Sequence, residues 1–261
     1  MKQIETHNSQ VRVLLKSTVL QYILDTLCEN PKLGKTFVDD VDNPNTCIIC
    51  FHHLLFFGGN LTQDCLSFLT KDILPEYTRN NQHVLYMLYP NEAWKNALKS
   101  LLPGNCSEYE RSLYWYKSEC IDKLPGYFDN IAEITSQLMN STASNLDMII
   151  NEVIPTGTYN NMEDFLVRGV GYSSIINNKV CGFCTSEYPS KNAIAIGIEV
   201  LEEYQRQGYA KAMTKAFLPR ATQGGLSIYW ECWKNNIASV NTALSCGFEI
   251  VADYPILFVK L

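Results

Sequence analysis

Ala193-Ile-Ala-Ile-Gly-Ile-Glu-Val-Leu-Glu-Glu-Tyr-Gln-Arg-Gln-Gly-Tyr-Ala-Lys-Ala-Met-Thr-Lys-Ala-Phe-Leu218 is the stretch that decides the fold, and it reads in three parts. Residues 193–200 are an apolar run of strand length. Residues 201–208 are polar and end on Gly208. The residues that follow return to a helix-like spacing. A strand therefore enters a turn that opens a helix. A helix start carries backbone N–H groups without intrahelical acceptors, and the helix dipole adds to them, so phosphate can be held there with no basic side chain. Gly208 lacks a Cβ and allows the backbone close to a ligand; Ala210 is small for the same reason.

Two more segments stand in order around this one. Downstream, the strand-like run Leu226-Ser-Ile-Tyr-Trp-Glu-Cys232 precedes Asn236 and Ser239, and Gly247-Phe248 follow. Upstream lies Asn178-Lys-Val-Cys-Gly-Phe183. Gln205-Arg-Gln-Gly-Tyr-Ala210 after a strand ending in Val200, the Asn236/Ser239 pair with Gly247-Phe248, and the 178–183 segment together resemble the motifs of the GNAT superfamily of N-acetyltransferases. The likeness covers residues 125–261. Trp230-Glu-Cys232 and the long N-terminal half are similar to the two-domain subgroup that includes the zwittermicin-resistance acetyltransferase.

The resemblance implies an α/β fold of the α+β kind: a mixed, mostly antiparallel sheet flanked by helices, with an additional N-terminal α+β domain. It implies transfer of an acetyl group from acetyl-CoA, as co-substrate, to a primary amine of a small molecule such as an aminated metabolite or antibiotic. In that fold the fourth and fifth strands splay and pantetheine fills the gap. Backbone of Ile198, Glu199 and Val200 then pairs with pantetheine. N–H groups of Gln205, Arg206, Gln207, Gly208, Tyr209 and Ala210 hold the pyrophosphate, and Asn236 and Ser239 meet the cofactor from the other side. Arg206 and Lys211 either add charge or face solvent. Asn236 and Ser239 read equally as an N-cap and a first-turn residue.

An attacking ammonium must first lose a proton. Glu199, ending an otherwise apolar strand, is the candidate general base, directly or through water, with burial expected to raise its pKa; the other reading is a solvent-facing strand end. Glu231 on the neighbouring strand is the second candidate. Where many family members carry a Tyr that protonates the leaving thiolate, this chain has Ala243. Ser239, Tyr229 or a water would substitute, or the thiolate would leave unassisted. Cys232 and Cys246 suggest an acyl-cysteine, but the C-terminal half has no His to activate them, so direct transfer is expected. A non-catalytic acyl-CoA sensor or interaction module is the alternative.

The 261 residues suffice for one large or two modest domains, and 46% hydrophobic with 18% charged residues is a globular composition. A net charge of −6 argues against general nucleic-acid binding and is compatible with a cationic acceptor. No apolar run is long enough for a membrane span and Met1–His7 lacks a signal-peptide core, so a cytoplasmic location without a membrane partner is expected; an oligomer is left open. Cys47-Ile-Ile-Cys50 and Cys181-Gly-Phe-Cys184 are too far apart for zinc-ribbon spacing and sit in apolar runs, so buried thiols and no metal are expected. His52-His53 on a strand would point to opposite faces.

Pro125-Gly126 marks the expected boundary between an N-terminal domain, 1–124, possible as a degenerate relative of the second half, and the acetyltransferase domain, 125–261. In the first half a helical stripe runs over 11–28, strands over 46–51, 54–57 and 84–89, a turn at Gly58-Gly59-Asn60, and caps at Thr62 and Asn91. In the second half helices are expected over 131–140, 143–152, 161–168, 207–222 and 236–246. Strands are expected over 170–176, 179–187, 193–200, 226–232, 248–253 and 256–260, with a turn at Asn177-Asn178.

Overall fold

Thr46-Cys-Ile-Ile-Cys-Phe51 is buried at every position, and Leu54-Leu-Phe-Phe-Gly58 likewise, the pattern of strands covered on both faces. In the computed structural model, which describes residues 1–4, 9–116, 130–154 and 158–261, these runs are inner strands of a sheet. The chain divides into two units: Met1–Arg111 with Tyr254–Leu261, and Ser112–Asp253. The Pro125-Gly126 boundary lies outside the described residues.

The first unit contains β1 (Lys2–Ile4), α1 (Ser9–Leu14), α2 (Gln21–Glu29), β2 (Lys35–Val38), β3 (Thr46–Phe51) and β4 (Leu54–Gly59). Then come α3 (Gln63–Phe68), a π-helical stretch Leu69–Ile73, α4 (Leu74–Arg79), β5 (Val84–Leu88), α5 (Glu92–Leu101) and the start of β6 (Cys106–Tyr116). Strands β1 to β4 pair antiparallel in order, β4 pairs parallel with β5, and Leu257–Lys260 close the other side of β5 antiparallel. Thr62 and Asn91 cap α3 and α5 through their side chains.

The stripe over 11–28 is two helices rather than one. Gln21 Nε2 donates to the carbonyls of Leu15 and Thr18, at 2.9 and 2.8 Å, satisfying groups that the break leaves behind α1. Leu15 and Leu20 stay buried across the break, which is why the apolar spacing looked continuous. Gly58-Gly59 ends β4 instead of making a turn, because the β3 pairing continues to Thr46↔Gly59. His52 and His53 are the turn between β3 and β4, with His52 at φ 50°.

The second unit contains β7 (Ile131–Glu133), α6 (Ser136–Met139), α7 (Asp147–Val153), α8 (Met162–Arg168), β8 (Gly171–Ile176) and β9 (Lys179–Glu187). It continues with β10 (Ala193–Val200), α9 (Tyr209–Thr222), β11 (Ser227–Trp233), α10 (Ile237–Ser245) and β12 (Phe248–Lys260). Its sheet order is β12-β6-β11-β10-β9-β8-β7. Neighbours β7 to β10 are antiparallel, and β10 and β11 are parallel. Helix 131–140 is replaced by β7 and α6: Ile131–Glu133 pair with Ser174–Tyr172, and Thr135 caps the short helix through the Leu138 N–H. One strand, β12, spans 248–260, because Tyr254 and Ile256 keep the buried alternation going through Pro255.

Ile194, Ile196, Ile228 and Trp230 pack on Met213, Phe217 and Leu218 of α9. Phe183 and Val180 pack with Ile149, Val153 and Phe165. The nine described cysteines are free. Burial pushes the Cys47 and Cys50 thiols up to about 12 and raises Cys184 and Cys246, so these sulfurs behave as core atoms.

Phe217 is fully buried, whereas Val167 is 80% exposed. Phe217→Ala should destabilise the protein by about 3–5 kcal/mol, and Val167→Ala by less than about 0.5 kcal/mol. Urea unfolding followed by circular dichroism separates the two; equal losses would contradict the packing of α9 on the sheet.

Candidate active site

The central geometric fact is a parting of two parallel strands. β10 and β11 pair only at Ala193↔Ser227, Ile194↔Ile228 and Ala195↔Tyr229. β10 nevertheless continues to Val200 along β9, and β11 continues to Trp233. The Leu201 N–H goes to the Cys181 carbonyl on β9 at 2.9 Å. Alternation along β10 then aims the N–H and C=O of Ile198 and Val200 into the gap and those of Glu199 toward β9. The Val200 carbonyl meets Gln205 Nε2 at 3.0 Å. Ile198 presents its pair of groups to an open cavity of about 720 Å³.

One wall of the cavity is the turn before α9, which supplies Gln205, Arg206, Gly208, Tyr209, Ala210 and Lys211. The turn is held from beneath. Lys179 Nζ sits 3.0 Å from Glu203 and 5.5 Å from the centre of the Tyr204 ring, and Gln207 Nε2 donates to the Glu203 carbonyl at 3.1 Å. Gln207 does not line the cavity. Arg206 and Gly208 are both left-handed, at φ 60° and 88°. An added Cβ on Gly208 would meet no protein atom within 4 Å, so within the protein alone it is the dihedral that calls for Gly.

Gly208 is the N-cap of α9 and brings no side chain to its first turn. The Ala212 N–H is bonded to the Gly208 carbonyl at 2.9 Å; the N–H groups of Tyr209, Ala210 and Lys211 come before any intrahelical acceptor. The caps Thr62, Asn91, Asn161 and Asn236 each fill such a position with a side-chain oxygen. An anion fits the start of α9 as it would not fit those others.

The opposite wall is α10. Asn236 caps the helix, accepting the Ser239 N–H at 3.1 Å. Ser239 Oγ accepts the Trp230 indole N–H at 3.0 Å and keeps its own proton to donate. Asn236, Ser239, Trp230 and Thr242 all line the cavity. Ala243 is fully buried in the core behind them. Trp230 and Thr242 were not singled out as site residues from the sequence: Trp230, read there only as part of Trp230-Glu-Cys232, alternates with less buried neighbours like any strand residue, and Thr242 sits one place before the position where a Tyr was sought.

Glu199 lines the cavity and is exposed, so burial does not act on it as the sequence suggested. Register places it on the sheet face shared by Ala195, Gly197, Tyr229 and Glu231, the face away from Ile198 and Trp230. Glu199 and Glu231 thus lie on one face, on the two strands that border the gap; Glu231 is half-buried and does not line the cavity. On the same face a Cβ added to Gly197 would run into the carboxylates of Glu187 and Glu152.

Among the described residues, no group of three or more His, Cys, Asp and Glu side chains could hold a metal ion, and no helix is long and apolar enough to cross a membrane.

A family model described as GNAT acetyltransferase matches residues 13–257. An N-acetyltransferase of Bacillus subtilis, named YdfB and called uncharacterised, is 22% identical over 86% of this chain and 85% of its own length. The crystal structure of a GCN5-related N-acetyltransferase-like protein from Streptococcus suis superposes with a TM-score of 0.69 at 20% identity, covering 96% of this chain and 97% of that one. A tandem GNAT protein from the clavulanic acid biosynthesis pathway gives 0.53 at 8% identity, over 92% and 87%.

If dihedral strain is what requires Gly208, Gly208→Ala should destabilise by about 1–2 kcal/mol, and Gly208→Asn by less, since Asn tolerates the left-handed region. Denaturant unfolding of the two variants decides it; a neutral Gly208→Ala would refute the left-handed cap.

Proposed function

We propose that this chain, which belongs to the GNAT acetyltransferase family, is an acetyl-CoA-dependent N-acetyltransferase whose acceptor is a primary amine of a small molecule, working in the cytoplasm where acetyl-CoA is supplied. The observation that carries the reading is the parting of β10 and β11 beside a helix start that no side chain caps. The gap offers amide-pairing groups on Ile198 and Val200, and the helix start offers N–H groups to a pyrophosphate. Both open on the same cavity.

In this reading Ile198 aligns the pantetheine arm and fixes the thioester at the mouth of the gap, which supplies much of the rate through positioning. Tyr209, Ala210 and Lys211 N–H groups take the phosphates, with the Arg206 and Lys211 side chains at the rim. The amine arrives on the face that carries Glu199, Glu231, Glu187 and Glu152, a setting that suits a cationic acceptor. Glu199, being solvated, takes the ammonium proton directly or through one water. The nitrogen then attacks the thioester carbonyl; the new C–N bond forms as the C–S bond breaks. Of the two protons that the nitrogen gives up, one ends on the departing thiolate and one in solvent. Ser239 Oγ–H is the donor nearest to hand on α10, in place of the Tyr that Ala243 lacks. Cys246, with its thiol raised by burial, stays outside the chemistry.

A non-catalytic acyl-CoA-binding module is the second reading, and the absence of a hydroxyl at Ala243 favours it. The two part on turnover.

Calorimetric titration with acetyl-CoA should give low-micromolar binding that Gly208→Asp abolishes in a folded protein; unchanged affinity in that variant would remove the phosphate assignment. With an amine acceptor in hand, Glu199→Gln should lower kcat by about 10²-fold or more, with little change in KM for acetyl-CoA. Cys246→Ser should leave the rate intact. Binding without turnover across an amine panel would favour the sensor reading.

A further inference from the structure

The first unit repeats the order of the second around its own pair of parallel strands. β4 pairs with β5 at Leu54↔Tyr86, Leu55↔Met87 and Phe56↔Leu88, then runs on to Gly59 without β5. β10 likewise pairs with β11 over three positions and runs on to Val200, with the difference that β5 ends at its last pair, Leu88, whereas β11 continues to Trp233. Matching the last pairs, Phe56↔Leu88 with Ala195↔Tyr229, sets Gly59 in the place of Ile198. The backbone agrees: Asn60 N–H turns to the Asn45 carbonyl beside β3, so the Gly59 groups face the β5 side. The helices agree as well. Asn91 caps α5 by accepting the Trp94 N–H at 3.1 Å, as Asn236 caps α10 by accepting the Ser239 N–H at 3.1 Å. Leu98 and Ala243, each seven residues after its cap, are both fully buried.

The two units differ at the side chain that follows the cap by three residues. Where the second has Ser239 and a cavity, the first has Trp94, fully buried against Phe57, with its indole N–H donating to the Gly59 carbonyl at 2.9 Å. That carbonyl is the counterpart of the one on Ile198. The anion site is missing too. Only Asn60 and Leu61 separate Gly59 from the cap Thr62, whose hydroxyl accepts the Cys65 N–H at 3.2 Å; residues 199–207 fill the corresponding stretch between Ile198 and Gly208.

We infer that Trp94 is a built-in occupant of the N-terminal unit's pantetheine slot, so that this half is an acetyltransferase-like fold closed to CoA and the chain holds one CoA. The inference rests on the proposed reading of the β10–β11 gap as a pantetheine site. The indole supplies by itself the ring volume and the single N–H that the strand end needs. The slot is a shape for an amide-bearing thiol arm, and what keeps that ligand out is one side chain and a short loop.

The experiment is a CoA titration of the full chain by calorimetry, together with thermal shifts for D-pantetheine. The expected stoichiometry is one CoA per wild-type chain and none in Gly208→Asp. Adding Trp94→Gly to Gly208→Asp should let millimolar D-pantetheine raise the Tm by several degrees beyond any effect on Gly208→Asp alone, while Trp94→Phe in the same background, which keeps the bulk, should show no such gain. Two CoA per wild-type chain would overturn the inference while leaving CoA binding itself intact. Rescue of the Trp94→Gly protein by indole but not by D-pantetheine would also overturn it, since the cavity would then have no slot character. If the wild-type chain bound no CoA, the proposed function would fall, and the D-pantetheine comparison would still decide whether Trp94 fills such a slot. The wild-type stoichiometry does not depend on any variant folding.

Discussion

Two parallel strands that part after three pairs take the backbone N–H and C=O groups of Ile198 and Val200 off the β10–β11 ladder and turn them to the cleft. Much else in the second unit follows from this constraint. Gln205 folds back to the Val200 carbonyl, which fixes where the following turn begins. The turn then has to carry the chain from the end of β10 to the start of α9, and it does so with two left-handed residues, Arg206 and Gly208. Ile198 is left facing the cavity, and the cleft between the turn and α10 is the space that results.

Some helix starts are closed by a capping side chain, while those of α2, α4, α7 and α9 are not. Thr62, Asn91, Asn161 and Asn236 spend a side-chain oxygen on their own first turn and are closed by it. Gly208 cannot do so, and the first turn of α9 is left without a side-chain cap where it lines the cavity. Beneath the turn, Lys179 holds Glu203 and the Tyr204 ring; as an exposed contact it is worth little energy, but it restrains the segment that presents the open N–H groups.

The strands at 179–187 and 193–200 were legible to the residue, because both are apolar over their length and are bounded by Asn177-Asn178 and by the Glu202-Glu203 turn. The segment at 131–140 was not: Ile131–Glu133 is a strand only because β8 offers it an edge, and three residues carry no period of their own. In the site, the Gln205–Ala210 turn and the Asn236/Ser239 pair could be picked out by spacing, and they do face one cavity. The tie between Trp230 and Ser239 could not, since it joins a strand to the helix after it and exists only once both are packed. Burial of Glu199 was expected from its apolar neighbours along the strand, yet the parting of β11 uncovers that strand end. The kinship of Trp94 with Ser239 is invisible in residue type; it rests on the register of β4 with β5 and on a shared cap.

The pairing of Leu257–Lys260 with Val84–Met87 has a consequence in time rather than in space. Synthesis delivers β5 well before its partner, which follows every residue of the second unit. Until then β5 has β4 on one side and an unsatisfied ladder on the other, an apolar edge of the kind that invites wrong partners. The N-terminal half is therefore first to be made and cannot be first to be finished. Its long-range closure makes for slow folding, and it ties the completion of one unit to the full translation of the other.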